Sequence, residues 1–156
     1  MTENAERRRI YHMKKLVIKL VVLTALFTAF FAMTAFAAKG DAKAAFTKVN
    51  EIRVANGLQP LTWNFQIENA AKVRATEIVR SFSHTRPDGS AWYTADPSVL
   101  YGENLAQYFD GADEVVVAWM NSPAHRANIL KPEFKSGAIY TVEVNGEVYW
   151  AQEFGI

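Results

Sequence analysis

Hydrophobic and polar positions follow two different periods along the chain. From Asp41 onward Ala42, Ala45, Phe46, Val49 and Ile52 recur at helical spacing, and Gly57 marks the stop. Gln59-Pro60-Leu61 is extended by proline's restriction on its neighbour. Asn64 is placed to cap a second helix, with Ile67, Ala71, Ala75, Ile78 and Phe82 on its buried face and Glu77 flanking that stripe. Asp113 is placed to cap a third helix running to about Met120. Ser122-Pro123 opens a fourth, because a serine hydroxyl can accept from an orphan N–H and proline at the first helical position gives up no hydrogen bond.

The period then changes to two. SGAIYTVEV, Asn145-Gly146 and EVYWAQEFG read as a hairpin with a type I′ turn, since both turn residues tolerate positive φ. Pairing across that turn puts Ile139, Val148, Trp150 and Phe154 on one face and Tyr140, Val142, Tyr149 and Ala151 on the other. Both faces are apolar enough to need cover. Early helices, a late antiparallel sheet and two covered faces predict an α+β fold, a three-layer α-β-α sandwich. Between the second and third helices, residues 83–104 lack sustained periodicity and are broken by Pro87, Asp88-Gly89, Asp96-Pro97 and Gly102. They read as a long ordered loop, of a length that is usually functional, with Trp92, Tyr93 and Tyr101 expected to pack it down.

Residues 20–38 carry no charge and follow Arg7, Arg8, Arg9, Lys14, Lys15 and Lys19, with Ala35-Phe36-Ala37 fitting a small-x-small cleavage site. That pattern predicts a signal peptide over residues 1–38, with Met13 as an alternative start, and a domain over 39–156. Uncut, residues 16–38 are long enough to span a membrane once, which would be the protein's one membrane contact. Of 17 Lys and Arg, six precede residue 38, and of 16 Asp and Glu two do, so 11 basic and 14 acidic residues remain after cleavage. No basic face is left for a phosphate backbone, which argues against nucleic acid as a partner. The absence of cysteine excludes disulfides, a thiol nucleophile and cysteine-ligated zinc.

His12 lies in the leader, so imidazole chemistry rests on His84 and His125. His84 sits in SFSHTRPDGS, in a polar turn with Arg86, Asp88 and Gly89, and His125 sits in the first turn of the Ser122-Pro123 helix. Each read singly is a structural histidine bonded to a local carbonyl or packed under the loop. Together with Glu103, which follows Gly102, they supply three positions of a tetrahedral zinc site with one left open. No H-E-x-x-H and no i, i+4 ligand pair supports that set, so only tertiary structure can assemble it. Glu103 could equally hold a ring N–H of one histidine. Ser122 lies three residues before His125, but it is accounted for as a cap and no G-x-S-x-G elbow exists. Glu77 and Glu103 form a conceivable acid–base pair for sugar cleavage, although nothing in the sequence sets their separation.

SHTRPDGS (83–90), YGENLAQ (101–107) and AWMNSPAHRANIL (118–130) together resemble the bacterial branch of the CAP superfamily, the SCP or PR-1-like domain. The closing hairpin resembles that family's tail, and Asn50, Arg53, Gly57, Leu61, Trp63 and Asn64 match its opening pattern, so the resemblance covers nearly all of residues 42–155. It implies an α-β-α sandwich with a cleft lined by two histidines and two acidic residues, and zinc or another divalent cation bound through the histidines in some members. Matched by position, these are His84, Glu103 and His125, with Asn104 and Ser122 in the same segments. The second acidic position falls near Asn121-Ser122, which carry no charge, and Glu77 is the candidate replacement. The family's roles include sterol and lipid binding, defence, venom and, rarely, proteolysis.

Two function classes follow. In the first, the protein is a secreted or envelope-associated non-catalytic binding module. Its cleft, lined by His84, Glu103, His125, Glu77, Asn104 and Ser122, would take an extracellular lipid, peptide or cell-wall fragment, with a divalent ion such as Zn²⁺ held by His84 and His125. In the second it is a metal-dependent peptidase or esterase, with His84, Glu103 and His125 around Zn²⁺ and a metal-bound water attacking a carbonyl.

Overall fold

The computed structural model describes residues 38–156; the expected leader falls outside them. The first helix, α1, is Ala42–Ala55, and the Asp41 carboxylate caps it by accepting from the Ala44 N–H at 2.9 Å. The two-residue strand β1, Thr62–Trp63, leads to α2, Phe65–Ile78, where Asn64 accepts from the N–H groups of Gln66 and Ile67. After a 3-10 turn at Trp92–Ala95 comes β2, Gly102–Gln107. Helices α3, Ala112–Asn121, and α4, Pro123–Ile129, follow, and then the hairpin of β3, Ser136–Val144, and β4, Glu147–Gly155.

The four strands form one sheet in the order β1-β3-β4-β2. The hairpin register pairs Val142 with Tyr149 and Tyr140 with Ala151, which produces the two faces expected from the alternation. Its turn residues, Asn145 at φ 54° and Gly146 at φ 84°, both occupy the left-handed region that a type I′ turn requires. On one face Ile139, Val148, Trp150 and Phe154 pack against α1, α3 and α4 through Phe46, Val49, Val115, Trp119 and Ile129. On the other, Leu105, Ala151, Tyr140, Val142 and Tyr149 meet Ala75 and Ile78 of α2. The result is the three-layer sandwich: α2, sheet, then α1 with α3 and α4.

The sheet is mixed rather than purely antiparallel, because β1 runs parallel to β3, with Thr62 beside Ser136. The segment read as a loop ends in β2, which hydrogen-bonds antiparallel to β4 from Gly102 to Gln107. Both faces of GENLAQ are buried, so no alternation marks it as a strand. Its glycine is dictated by packing: a Cβ at Gly102 would lie 2.6 Å from the Phe134 ring, which is itself stacked on Phe154 in the core.

Other expectations need correcting locally. Helix α2 ends at Ile78, so Phe82 lies beyond it and is exposed. Trp92 packs against Ile67 and Leu100 as expected, whereas Tyr93 and Tyr101 are exposed. Helix α3 starts one residue before Asp113, with Gly111 at its cap and the Gly111 N–H donating to Glu114. Ser122 does stand at the α4 cap position, but its hydroxyl makes no cap bond. Its backbone N–H is bonded to Trp119 O and its carbonyl to Arg126 N–H, and Pro123 supplies the first-turn geometry. Among the described residues no helix is long and apolar enough to cross a membrane.

Candidate functional site

The site is organised on β2, whose consecutive residues Glu103 and Asn104 point to opposite faces of the sheet. Glu103 faces α2. There the fully buried Arg74 guanidinium donates through Nε to Glu103 Oε2 at 2.7 Å and through Nη2 to Oε1 at 3.3 Å. Nη2 also donates to the Ser83 carbonyl at 2.7 Å, and Nη1 to Glu77 Oε2 at 2.6 Å. Arg86, from the turn after α2, closes the network by donating to both oxygens of Glu77, the shortest contact being 2.7 Å. Arginine suits this place because its planar fork serves several acceptors at once.

His84 lies at the open end of the network. Its Nδ1 is 2.7 Å from Glu103 Oε1, and the ring is 57% exposed while the Glu103 side chain is 1% exposed. An ionised carboxylate only accepts, so Nδ1 carries the proton and, in the neutral ring, Nε2 is the unprotonated nitrogen of a largely exposed side chain. Burial pushes the Glu103 carboxyl up, but hydrogen bonds from His84 and Arg74 and the Arg74 charge outweigh it and hold Glu103 below the usual range. Glu77 behaves likewise: burial raises it, and Arg86 and Arg74 bring it down overall.

Asn104 faces the other layer and is fully buried. Its Nδ2 donates to the backbone carbonyl of His125 at 3.2 Å and to Gln152 Oε1 at 3.0 Å. Asn128 of α4 donates to the Glu103 carbonyl at 3.1 Å and to Asn104 Oδ1 at 2.9 Å. These bonds cover the free edge of β2 and fix α4, and with it His125, against the strand. The His125 imidazole is half-buried, and burial followed by the charge of nearby His84 lowers its pKa. His125 therefore favours the neutral form.

The structure thus pairs His84 with Glu103 and ties the backbone of His125 to Asn104, the next residue of the same strand, so the three residues have different roles. Glu103 stands behind His84 with its side chain 1% exposed and bonded to Arg74 and His84, which makes it a support for the imidazole and not a third metal ligand or general base. Glu77 is held by two arginines and does not supply the missing cleft carboxylate. Asn104 is buried and positions His125 instead of lining the cleft, and Ser122 sits at the α3–α4 corner. Among the described residues no three His, Asp or Glu side chains are grouped to hold a metal ion. The donors left for a divalent cation are the imidazoles, with Glu103 behind His84 in the orienting position such sites favour.

Arg74, Arg86, Asn128, Gln152 and Glu153 complete the site and were not singled out by the sequence reading. Arg74 left a signal, as a charge on the stripe Ile67-Ala71-Ala75-Ile78. Glu153 left another, since period two puts it on the apolar face with Tyr149 and Ala151.

Comparison with known proteins agrees with this architecture. The sequence model of the cysteine-rich secretory protein family, CAP, matches residues 46–154. The protein YkwD of Bacillus subtilis (strain 168) is 33% identical over 112 residues, covering 67% of this chain and 43% of its own length. The chain therefore spans less than half of that relative. An outer surface protein of Borrelia burgdorferi superposes with a TM-score of 0.65 at 24% identity, covering 72% of this chain and 90% of that one. An extracellular protein containing an SCP domain from Bacillus anthracis str. Ames gives 0.64 at 22% identity, over 73% of this chain and 39% of that one. At these identities the two structures speak to the fold alone.

Proposed function

The chain belongs to the cysteine-rich secretory protein (CAP) family, and from that premise we propose that it is an exported, non-catalytic binding module. His84 and His125 present their imidazoles to an extracellular peptide, lipid or cell-wall fragment. The observation that carries this reading is the state of the carboxylates. Glu103 accepts from Arg74 and His84, Glu77 accepts from Arg74 and Arg86, and both are held below the usual carboxylate range, which makes each a weak base toward a substrate proton. Two imidazoles make good contacts for polar ligand groups and for a divalent cation, which would recruit oxygen donors of a ligand between them. Export is supported by the charged, apolar and small-residue sequence of the leader.

The test is calorimetric titration of residues 39–156 with Zn²⁺ at neutral pH after chelator treatment, beside the His84→Ala/His125→Ala variant. One-to-one binding is expected in the wild type and none in the double variant, whose unfolding midpoint stays at the wild-type value. The zinc-loaded protein is expected to turn over neither peptide nor ester substrates. Turnover abolished by His84→Ala would overturn the reading in favour of a hydrolase.

A further inference from the structure

Glu153 is a fully buried carboxyl that none of these interactions uses. It lies in β4, paired in register with Glu103 on one side and Ala138 on the other. Neither of its oxygens receives a hydrogen bond from any donor among the described residues. The charged groups facing it are Glu103 from β2 and Arg74 from α2, and Ala138 of β3 offers no polar side chain. All of the Arg74 nitrogens are already directed to Glu103, Glu77 and Ser83. Arg74 therefore lends Glu153 its field but no N–H.

A charge count constrains what Glu153 can be. Arg74 and Arg86 are balanced by Glu77 and Glu103, so a third carboxylate in the same buried cluster would be unmatched. Two ionised carboxylates side by side in register on one face of the sheet offer only acceptors. One proton on Glu153 allows an O–H···O⁻ hydrogen bond to Glu103 and leaves a single negative charge for the pair. Burial, and then the charge of Glu103, push the Glu153 carboxyl well above the usual range, against a smaller lowering by Arg74.

We propose that Glu153 is held as the neutral acid and donates its hydrogen bond to Glu103, making it a positioning residue that sets, through Glu103, how firmly the exposed His84 ring is held by its Nδ1–H. A Glu103 carboxylate that also accepts from Glu153 has less electron density to give the His84 Nδ1–H, and its orientation is fixed from a third direction. The inference rests on the binding-site reading of His84. Its test is read without any ligand, so a cleft that takes no zinc leaves the outcome intact.

The test combines infrared difference spectroscopy with proton NMR of the His84 Hδ1 resonance. At neutral pH the wild type is expected to show the C=O stretch of a protonated carboxyl, and Glu153→Gln is expected to lose it. The amide of Glu153→Gln still donates to Glu103, so the Hδ1 resonance should keep its wild-type position. Glu153→Leu removes the donor, and the resonance should move downfield as the His84–Glu103 bond strengthens. Absence of the protonated-carboxyl band in the wild type overturns the proposal even if the leucine variant fails to fold. So does a Glu153→Gln resonance displaced from the wild type, which signals loss of a real charge, or a folded Glu153→Leu whose resonance does not move.

Discussion

Glu103 keeps its charge inside the protein because Arg74 and His84 supply directed hydrogen bonds, and Glu153 avoids the matching cost by staying protonated. That division has a consequence for stability. A carboxyl raised in the folded state contributes stability that is present below its ordinary value, about 4.3, and lost as pH rises toward the folded value. Unfolded chains release the Glu153 proton over that range while folded ones keep it. One such proton gives a slope of up to about 1.4 kcal/mol per pH unit. Glu153→Gln removes the linkage, so its stability relative to wild type should grow in urea unfolding curves as pH rises above the ordinary carboxylate range. Parallel pH profiles for the two proteins would show that Glu153 has the same protonation folded and unfolded. Glu103 and Glu77 act with the opposite sign: both are lowered in the folded state, and their contribution disappears as pH falls below the ordinary carboxylate range.

The joint between β2 and α4 does for His125 what Glu103 does for His84, but through backbone. Asn104 links the His125 carbonyl, Asn128 and Gln152, so Asn104→Leu would leave the buried Gln152 amide oxygen without its partner and remove one bond each from the half-buried His125 carbonyl and Asn128. At about 1–3 kcal/mol for each such group, partly relieved by rearrangement, a loss of about 2 kcal/mol or more is expected in denaturant unfolding. Zinc affinity should weaken as well, since α4 is no longer fixed to the strand. Unchanged affinity in a destabilised Asn104→Leu protein would mean that packing of Ile129 alone positions the helix. Elements whose reason is local were legible in the sequence. Asp41 and Asn64 announce α1 and α2, and Asn145-Gly146 announces the hairpin and fixes its faces. Strand β2 was hidden because it is buried on both sides and its polar residues find partners only in distant elements. The parallel pairing of β1 was hidden because two residues carry no period. In the site, the histidines and Glu103 were legible as a set, while their roles depended on Arg74, Asn128 and Glu153, whose meaning exists only after folding.

Two buried arginines hold the layers of the molecule, and they do opposite jobs. Arg74 meets carboxylates between α2 and the sheet, and belongs to the site. Arg53, 1% exposed in α1, meets only backbone carbonyls: Gln59 at 3.0 Å, Ile129 at 2.7 Å, and Lys131 and Phe134 at 3.0 Å each. It fastens α1 to the connection from α4 to β3, the stretch that carries Phe134 under Gly102. Burial lowers its pKa, but an arginine retains its proton. Arg53→Leu would fill the volume and leave four carbonyls without that donor. The expected loss is at least ~3 kcal/mol, a large share of the 5–15 kcal/mol that typically stabilises a domain. Amide exchange should localise the damage, accelerating through residues 129–136 well before the His84–Glu103 region, because α2 contacts the sheet from the opposite face. If exchange at residues 84 and 103 accelerates equally, the two layers open as one unit. The cleft would then depend on Arg53 as much as on Arg74, and the carboxylate network would be a passenger of the α1 layer.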